Sequence, residues 1–326
     1  MGRRLRVLFV IMLVLLFRLN VSAQQIRVGY VHVFDDAPVL IAQDGGFFKD
    51  QDLNVNLQAF TSGPSLAKGL VSNQLEIGVM GFTNALSWSA QGADLYIVGK
   101  VQSGYHAMVT RADSGITDLS DLQGKSIATQ GVGSTADVVL KGVVLPAGNL
   151  QENDVHLLHT APATALQSLL AGRVDAAFLF EPFDRFLRHQ TSTVELYEIG
   201  KEWPFPCMVV VVSGEFMRTN PTALRNFLDA IKLSIEFMES NPVEAATLLV
   251  PHFLPSGELA TSKGAIPGVQ IMNEAISTQT FAWYLSDHDL RRMEEIQEIM
   301  LEQGLLTSKV EVSEIVDLSW QEKLAN

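Results

Sequence analysis

The sequence predicts an α/β protein of two similar lobes. Strand-like and helix-like segments alternate from residue 26 to residue 101, and the pattern restarts at residue 106. A unit of helix, tight turn, acid and buried strand also recurs: Leu70, Gln74, Leu75 and Glu76 precede Ile77-Gly78-Val79, and Leu169, Arg173, Val174 and Asp175 precede Ala176-Ala177-Phe178, 99 residues later. Strands separated by helices of this length imply parallel βαβ units. Two such lobes are what a hinged binding protein needs.

Residues 26–31 read as the first strand, 38–48 as a helix, and 53–60 as a half-buried strand that alternates apolar and polar. Helix 64–71, strand 76–80, helix 84–91 and strand 95–101 follow. The second half runs strand 106–110, short helix 118–122, strand 125–129, helix 135–145, strand 155–158, helix 163–170 and strand 174–180. One more apolar strand is expected at 209–212. The remainder reads as helices 221–240, 242–250, 269–277 and 287–303, separated by Pro251, Pro255 and Pro267.

The N-terminus sets the compartment. Arg3, Arg4 and Arg6 precede the apolar run 7–17, and Val21-Ser22-Ala23 offers a signal-peptidase site before Gln24. That order is a secretory leader, and the run is shorter than the roughly 20 residues a spanning helix needs. Residues 1–23 are therefore assigned as a cleaved signal peptide, which places the mature chain in the periplasm. Arg3-Arg4 is too little for a twin-arginine signal, and no cysteine near the cleavage point offers a lipid anchor. Cleavage leaves 303 of the 326 residues and, because the leader holds four arginines and no acid, moves the formal charge from −13 to −17. Such an acidic chain is a poor partner for a phosphate backbone, so no nucleic-acid role is expected. Cys207 is the only cysteine, which excludes an internal disulfide and a cysteine-clustered metal site. Stability must come from a large core, for which 47% hydrophobic content suffices.

At this point the chain resembles a known family. Asp36-Ala37-Pro38, Gly46-Phe47-Phe48-Lys49 and Leu53-Asn54-Val55 are similar to the opening helix and second strand of the nitrate/sulfonate/taurine solute-binding proteins. That superfamily also includes the thiamine-pyrimidine-precursor (NMT1/THI5-like) binding proteins. Gly78-Val79 with Gly81 and Thr83, Asp121-Leu122-Gln123-Gly124-Lys125, Gly133-Ser134-Thr135, Leu169-Leu170-Ala171-Gly172 and Glu181-Pro182-Phe183 continue the match in order. The resemblance implies a two-lobed periplasmic-binding-protein fold of type II, each lobe a mixed sheet flanked by helices, with two crossings and a ligand cleft between the lobes. Lobe 1 is expected over residues 24–104 plus 208–326, and lobe 2 over 105–207. It further implies a monomer that closes on a small-molecule ligand and hands it to an ABC permease and its ATPase at the inner membrane.

Ligands of open α/β sheets sit at the carboxyl ends of strands, where helix N-termini gather. Three strand-to-helix loops qualify: Ser62-Gly63, Gly81 with Thr83 and Asn84, and Gly133-Ser134-Thr135. Their backbone N–H groups can receive an anionic oxygen such as a sulfonate, although each loop equally suits a simple helix cap. The glycines around Val132 have neither dinucleotide nor P-loop spacing. Asp36 reads as the cap of the helix at Pro38, whereas Asp35 is either a solvated loop acid or a ligand contact. Glu181 ends an apolar strand and needs a partner: Arg185, one helical turn on, or an N–H donor of the ligand, since the resemblance puts this position in the pocket. Tyr30, Phe34, Phe82 and Trp203 are the aromatics considered for the cleft wall, with Trp203 in a proline-rich loop. Phe34 and Trp203 enter the candidate ligand set with the polar residues.

No catalytic residue, cofactor or metal is expected. The seven histidines are scattered, and His156 and His159 are too close on a strand to form a convincing metal site. A desulfinase-like enzyme on this fold is the weaker alternative, because Cys207 lies at the returning strand rather than in an early loop. Asp35 and Glu181 beside helix N-termini suit an aminosulfonate or an aminopyrimidine, and bare nitrate less well.

Overall fold

The computed structural model describes residues 25–325; the expected signal peptide lies outside them. The fold is built on two mixed sheets. The first has the order β13-β4-β10-β3-β1-β2, with β1 Gln25–Val31, β2 Asn54–Phe60, β3 Ile77–Gly81, β4 Leu95–Ser103, β10 Pro206–Ser213 and β13 Thr280–Phe281. The second has the order β7-β6-β8-β5-β9, with β5 Ala107–Arg111, β6 Ser126–Thr129, β7 His156–His159, β8 Ala176–Leu179 and β9 Thr193–Glu198. A separate hairpin joins β11 Glu258–Thr261 to β12 Gly264–Pro267.

The two sheets share one topology. In the first, β1 runs parallel to β2 and β3, and β10 is antiparallel to β3 and β4. In the second, β6 runs parallel to β7 and β8, and β5 is antiparallel to β8 and β9. The internal echo is geometric as well as compositional. The Arg27 N–H donates to Glu76 Oε2 at 2.7 Å, and the Ser126 N–H donates to Asp175 Oδ2 at 2.8 Å. Arg27 and Ser126, and Glu76 and Asp175, stand 99 residues apart in sequence, so each acid holds the beginning of the corresponding parallel strand, β1 or β6, in the same way.

Helices cover both faces of the sheets, so the central strands read as continuous apolar runs. β3 is buried at every residue, and β10 at all but its last. The helices used below are α1 Ala37–Asp44, α2 Gly63–Val71, α3 Phe82–Ser89, α4 Thr135–Val139, α5 Pro162–Leu170, α6 Phe183–Gln190, α7 Pro221–Ser240, α8 Pro242–Phe253, α9 Gly268–Thr278 and α10 Asp287–Glu302. α7 shows why such segments are helical: Pro221 sits at the start, and Leu224, Phe227, Leu228, Ile231, Ile235 and Met238 recur on one buried face. Phe227 stacks on Phe48 at 5.2 Å between ring centroids. Full burial of a side chain of this size contributes about 1.5–3 kcal/mol.

Three local expectations are corrected. The helix expected over residues 38–48 is two, because Gly46 adopts φ +83° and ends the first. Pro251 does not separate helices; α8 runs through it to Phe253. Asp36 does not cap α1: its Oδ2 instead accepts the Val31 N–H at 2.9 Å.

The chain passes from the first sheet to the second between Ser103 and Ala107 and returns between Glu198 and Pro206. The two crossings touch, with the Gly104 N–H donating to the Phe205 carbonyl at 2.9 Å. Further contacts join the helical tail to the second sheet's helices: Gln303 Nε2 donates to the Val138 carbonyl at 3.0 Å, and Glu274 pairs with His189 on α6 at 2.7 Å.

Candidate functional site

A cleft of about 890 Å³ opens where the carboxyl ends of the parallel strands of both sheets meet. Its walls follow the 99-residue repeat. The loop after β1 (Tyr30 to Val33, and Asp35) faces the loop after β6 (Gln130 to Val132, and Ser134 to Ala136). The end of β2 and the start of α2 (Ala59 to Pro64) face His159 to Pro162. Gly81, the last residue of β3, and Asn84 correspond to Phe180 and Phe183, after β8. His106, Cys207 and Met208, at or beside the crossings, complete the walls.

Seven of the twelve candidate residues meet here: Asp35, Ser62, Gly63, Gly81, Asn84, Ser134 and Thr135. Ser62 caps α2, its Oγ accepting the Ser65 N–H at 3.4 Å. Ser134 caps α4, its Oγ accepting the Asp137 N–H at 3.3 Å. Asn84 Nδ2 donates back to the Gly81 carbonyl at 3.1 Å, which turns its amide along the loop. A Cβ at Gly63 would stand 2.2 Å from Asn84 Nδ2, so any side chain there would displace the Asn84 amide from the loop.

The other five candidates do not form the walls. Phe34 is fully buried and packs against Phe253 at 5.1 Å. Thr83 lies behind the wall, its hydroxyl 2.8 Å from the Thr135 hydroxyl of the other lobe. Gly133 shapes its loop at φ +75°, and its N–H donates to Asp137 Oδ2 at 2.9 Å. Trp203 lies under the Arg292 guanidinium, 4.0 Å from the ring centroid. Glu181 is fully buried and takes its partners from the protein: Oε1 accepts from Arg185 Nε at 2.8 Å and from the Thr278 hydroxyl at 3.0 Å. Burial, and secondarily Asp184, push the Glu181 carboxyl up to about 7, against the pull of Arg185.

Of the aromatics considered for the wall, Tyr30 lines the cleft, whereas Phe180, Phe183 and the histidines of the wall were not among the candidates. Phe180 and Phe183 were discoverable from the repeat, since they stand 99 residues after Gly81 and Asn84. His159 is held by Asp137 Oδ1 at 2.8 Å, and Asp137 also pairs with Lys141 at 3.1 Å. His32 stacks on Phe253 at 5.2 Å, and burial lowers its pKa. His106 stacks on Phe178 at 5.2 Å, and burial drives it down to about 3, so it is a neutral imidazole at any physiological pH. Burial pushes the Cys207 thiol well up, with Asp35 and Asp36 adding to the effect, so the sulfur stays protonated and poorly nucleophilic.

Among the described residues no Lys or Arg lines the cleft, and no group of three His, Cys, Asp or Glu side chains is placed to hold a metal. No described helix is long and apolar enough to cross a membrane. Chemically, the cleft offers capped helix starts for polar oxygens, an aromatic wall on one lobe and a buried carboxyl on the other.

Comparisons with known proteins agree with this architecture. The alkanesulfonate-binding protein SsuA of Xanthomonas axonopodis pv. citri, solved with MOPS bound, superposes with a TM-score of 0.75 at 22% identity, over 90% of this chain and 98% of that one. The taurine-binding periplasmic protein of Escherichia coli is 23% identical over 210 residues, 63% of this chain and 64% of that protein. A 4-amino-5-hydroxymethyl-2-methylpyrimidine phosphate synthase of Saccharomyces cerevisiae is 23% identical over 223 residues, and the match spans 64% of each protein. The fold is thus that of the periplasmic binding proteins. Because the profile described as NMT1/THI5 like matches residues 33–245, the chain belongs to that family.

Proposed function

We propose that this chain is the solute-binding component of an ABC importer, capturing a small organic molecule of sulfonate or taurine type between its lobes. The observation that carries the reading is the cleft itself: the same three loops of both lobes converge on one space of about 890 Å³, large enough for such a molecule with room to close. The lobes are residues 24–104 with 208–326, and 105–207, and the crossings at Gly104 and Phe205 are the hinge. Ser62-Gly63, Gly81 with Asn84, and Ser134-Thr135 supply the polar contacts. A closed form then presents itself to a permease and its ATPase. The chain works as a monomer in the periplasm after removal of residues 1–23. It binds without chemistry, since its one thiol is held protonated beside two acids.

A second reading, a pyrimidine-precursor binder, is favoured by Phe180 and Phe183 on the wall, against which a flat ring can stack. A thermal-shift screen tests both, using taurine, alkanesulfonates, MOPS, aminopyrimidines and nitrate. A true ligand at a hundredfold its Kd stabilises the protein by about 2.7 kcal/mol. A screen in which no organic sulfonate or pyrimidine moves the melting temperature refutes the proposal.

A further inference from the structure

We infer that Asp35 is the specificity-determining residue of the cleft, and that it selects ligands bearing a cationic or N–H-donating nitrogen. The inference rests on the solute-binding reading above and names what that solute must carry.

Seven carboxylates are buried among the described residues, and six are held by the protein. Asp36 takes the Val31 N–H, Asp137 takes Lys141 and His159, Glu181 takes Arg185, Asp184 takes Arg188 and Tyr105, Glu198 takes the Gly200 N–H, and Asp289 takes Lys100. Asp35 is the exception. It is 3% exposed and stands on the cleft wall. Asp36 and Asp184 also have an unpartnered Oδ1, but each is held through its Oδ2, whereas Asp35 makes no hydrogen bond through its carboxyl among the described residues. An unpartnered buried carboxyl is costly, and proteins keep one where something else completes it.

The surroundings say what completes it. Asp36, Glu181 and the Cys207 thiol are the titratable groups that act on it or feel it, and none is positive. Lys100, on the adjacent β4, is already committed to Asp289 at 2.8 Å. Arg185 is committed to Glu181. No Lys or Arg lines the cleft among the described residues, so a simple oxyanion meets no counter-charge there. His106 adds a second unpartnered polar atom: it lines the cleft, it is buried, and its Nδ1, a donor or an acceptor according to tautomer, lacks a partner. Phe180 and Phe183, on the other lobe, give the rest of the ligand an apolar surface.

Burial, with Glu181 adding to it, holds Asp35 up at about 8, so at neutral pH the empty cleft carries a carboxylic acid. When an ammonium ligand pairs with it, the acid loses its proton to solvent: carboxylic acid plus ammonium gives carboxylate–ammonium pair plus one proton. Binding of such a ligand therefore tightens as pH rises toward 8.

The test is calorimetry on the full mature chain and on Asp35→Asn, with two matched pairs of probes. One pair is taurine and ethanesulfonate; the other is 4-amino-5-hydroxymethyl-2-methylpyrimidine and the same ring without its amino group. Titrations at pH 7 in two buffers of different ionisation enthalpy count released protons. At least one nitrogen-bearing probe should bind about ten- to a hundredfold tighter than its partner, the ratio a charge-assisted hydrogen bond supports. If that probe is taurine, close to one proton should leave on binding. Asp35→Asn should erase the preference and should melt no lower than the parent without any probe. Equal binding of the amine-free probes, or a preference that survives in Asp35→Asn, overturns the role of Asp35 and leaves the solute-binding reading standing. A variant that melts lower overturns it too, because the carboxyl is then structural. Absence of heat from all four probes overturns the ligand class on which the inference rests.

Discussion

Gly81→Ala probes a point at the cleft where the two lobes touch, beside the Thr83–Thr135 hydroxyl contact. Gly81 ends β3 at φ −58° and ψ 130°, a conformation open to any residue, so the substitution costs space and not backbone strain. An added Cβ would stand 2.4 Å from Thr135 Oγ1, roughly 1 Å inside an ordinary contact. Thr135 must retreat, and its hydroxyl is then drawn off the Thr83 hydroxyl 2.8 Å away. Both residues are buried, so water does not readily replace the lost bond. Overpacking costs about 1–3 kcal/mol and the hydrogen bond about 0.5–1.5 kcal/mol, together about 2–4 kcal/mol. At about 2–4 °C per kcal/mol, the melting temperature should fall by roughly 4–16 °C. Gly131→Ala is the control, since it lies on the same wall and a Cβ there meets nothing within 4 Å. Gly81→Ala combined with Thr135→Ala removes the clash and should recover part of the loss. Thermal unfolding without ligand reads the stability, and calorimetry with whichever screened compound binds reads the cleft. A Gly81→Ala protein that melts and binds like its parent would show that the contact between the lobes does not exist in solution.

Two further outcomes follow from buried charge. Lys100 and Asp289 tie β4 to the start of α10, and Asp289 also accepts the Ser286 N–H and hydroxyl in a capping box. Asp289→Ala strands a buried ammonium and loses the cap, so urea unfolding should show a loss of about 3–5 kcal/mol, whereas Lys100→Met with Asp289→Leu should cost much less; a double variant as unstable as the sum of its parts would refute the pairing. Asp35 supplies the pH dependence. Its carboxyl is held at about 8 in the folded chain against an ordinary 3.8, so between those values the folded state keeps a proton that the unfolded state has lost. Stability then falls as pH rises, by up to about 1.4 kcal/mol per pH unit. Asp35→Asn should flatten that slope relative to the parent between pH 5 and pH 8, and parallel curves would count against a buried neutral acid.

Most strands were legible because they bury both faces, which needs nothing beyond an apolar run between turn residues. Thr193-Val194-Glu195-Leu196 alternates polar and apolar, but Tyr197 and the buried Glu198 break the period, which obscures β9 at the edge of the second sheet. The β11–β12 hairpin was hidden for a different reason. Its strands have four residues each, stay largely exposed and pair only with one another, so no hydrophobic period marks them. The break at Gly46 turns on a left-handed backbone, which sequence offers only as one more glycine.

The site was legible in position and not in partnership. Helix N-termini and strand ends are local features, so Ser62, Gly81 and Ser134 could be placed from their neighbours alone. Whether a buried acid is free is not local. Glu181 and Arg185 stand one helical turn apart, and that pair could be foreseen as one of two outcomes. Asp35 and Asp36 are adjacent and chemically identical, yet Asp36 turns back to the Val31 N–H while Asp35 reaches a wall with no donor. Which of two neighbouring carboxylates meets a donor depends on where β1, β4 and β10 come to rest around one turn. The same dependence makes the free acid informative about the ligand. A fold that gives six buried carboxylates at least one partner and leaves the seventh facing its cleft with none has left that interaction to an occupant, and the donor the protein lacks there is the group the occupant has to bring.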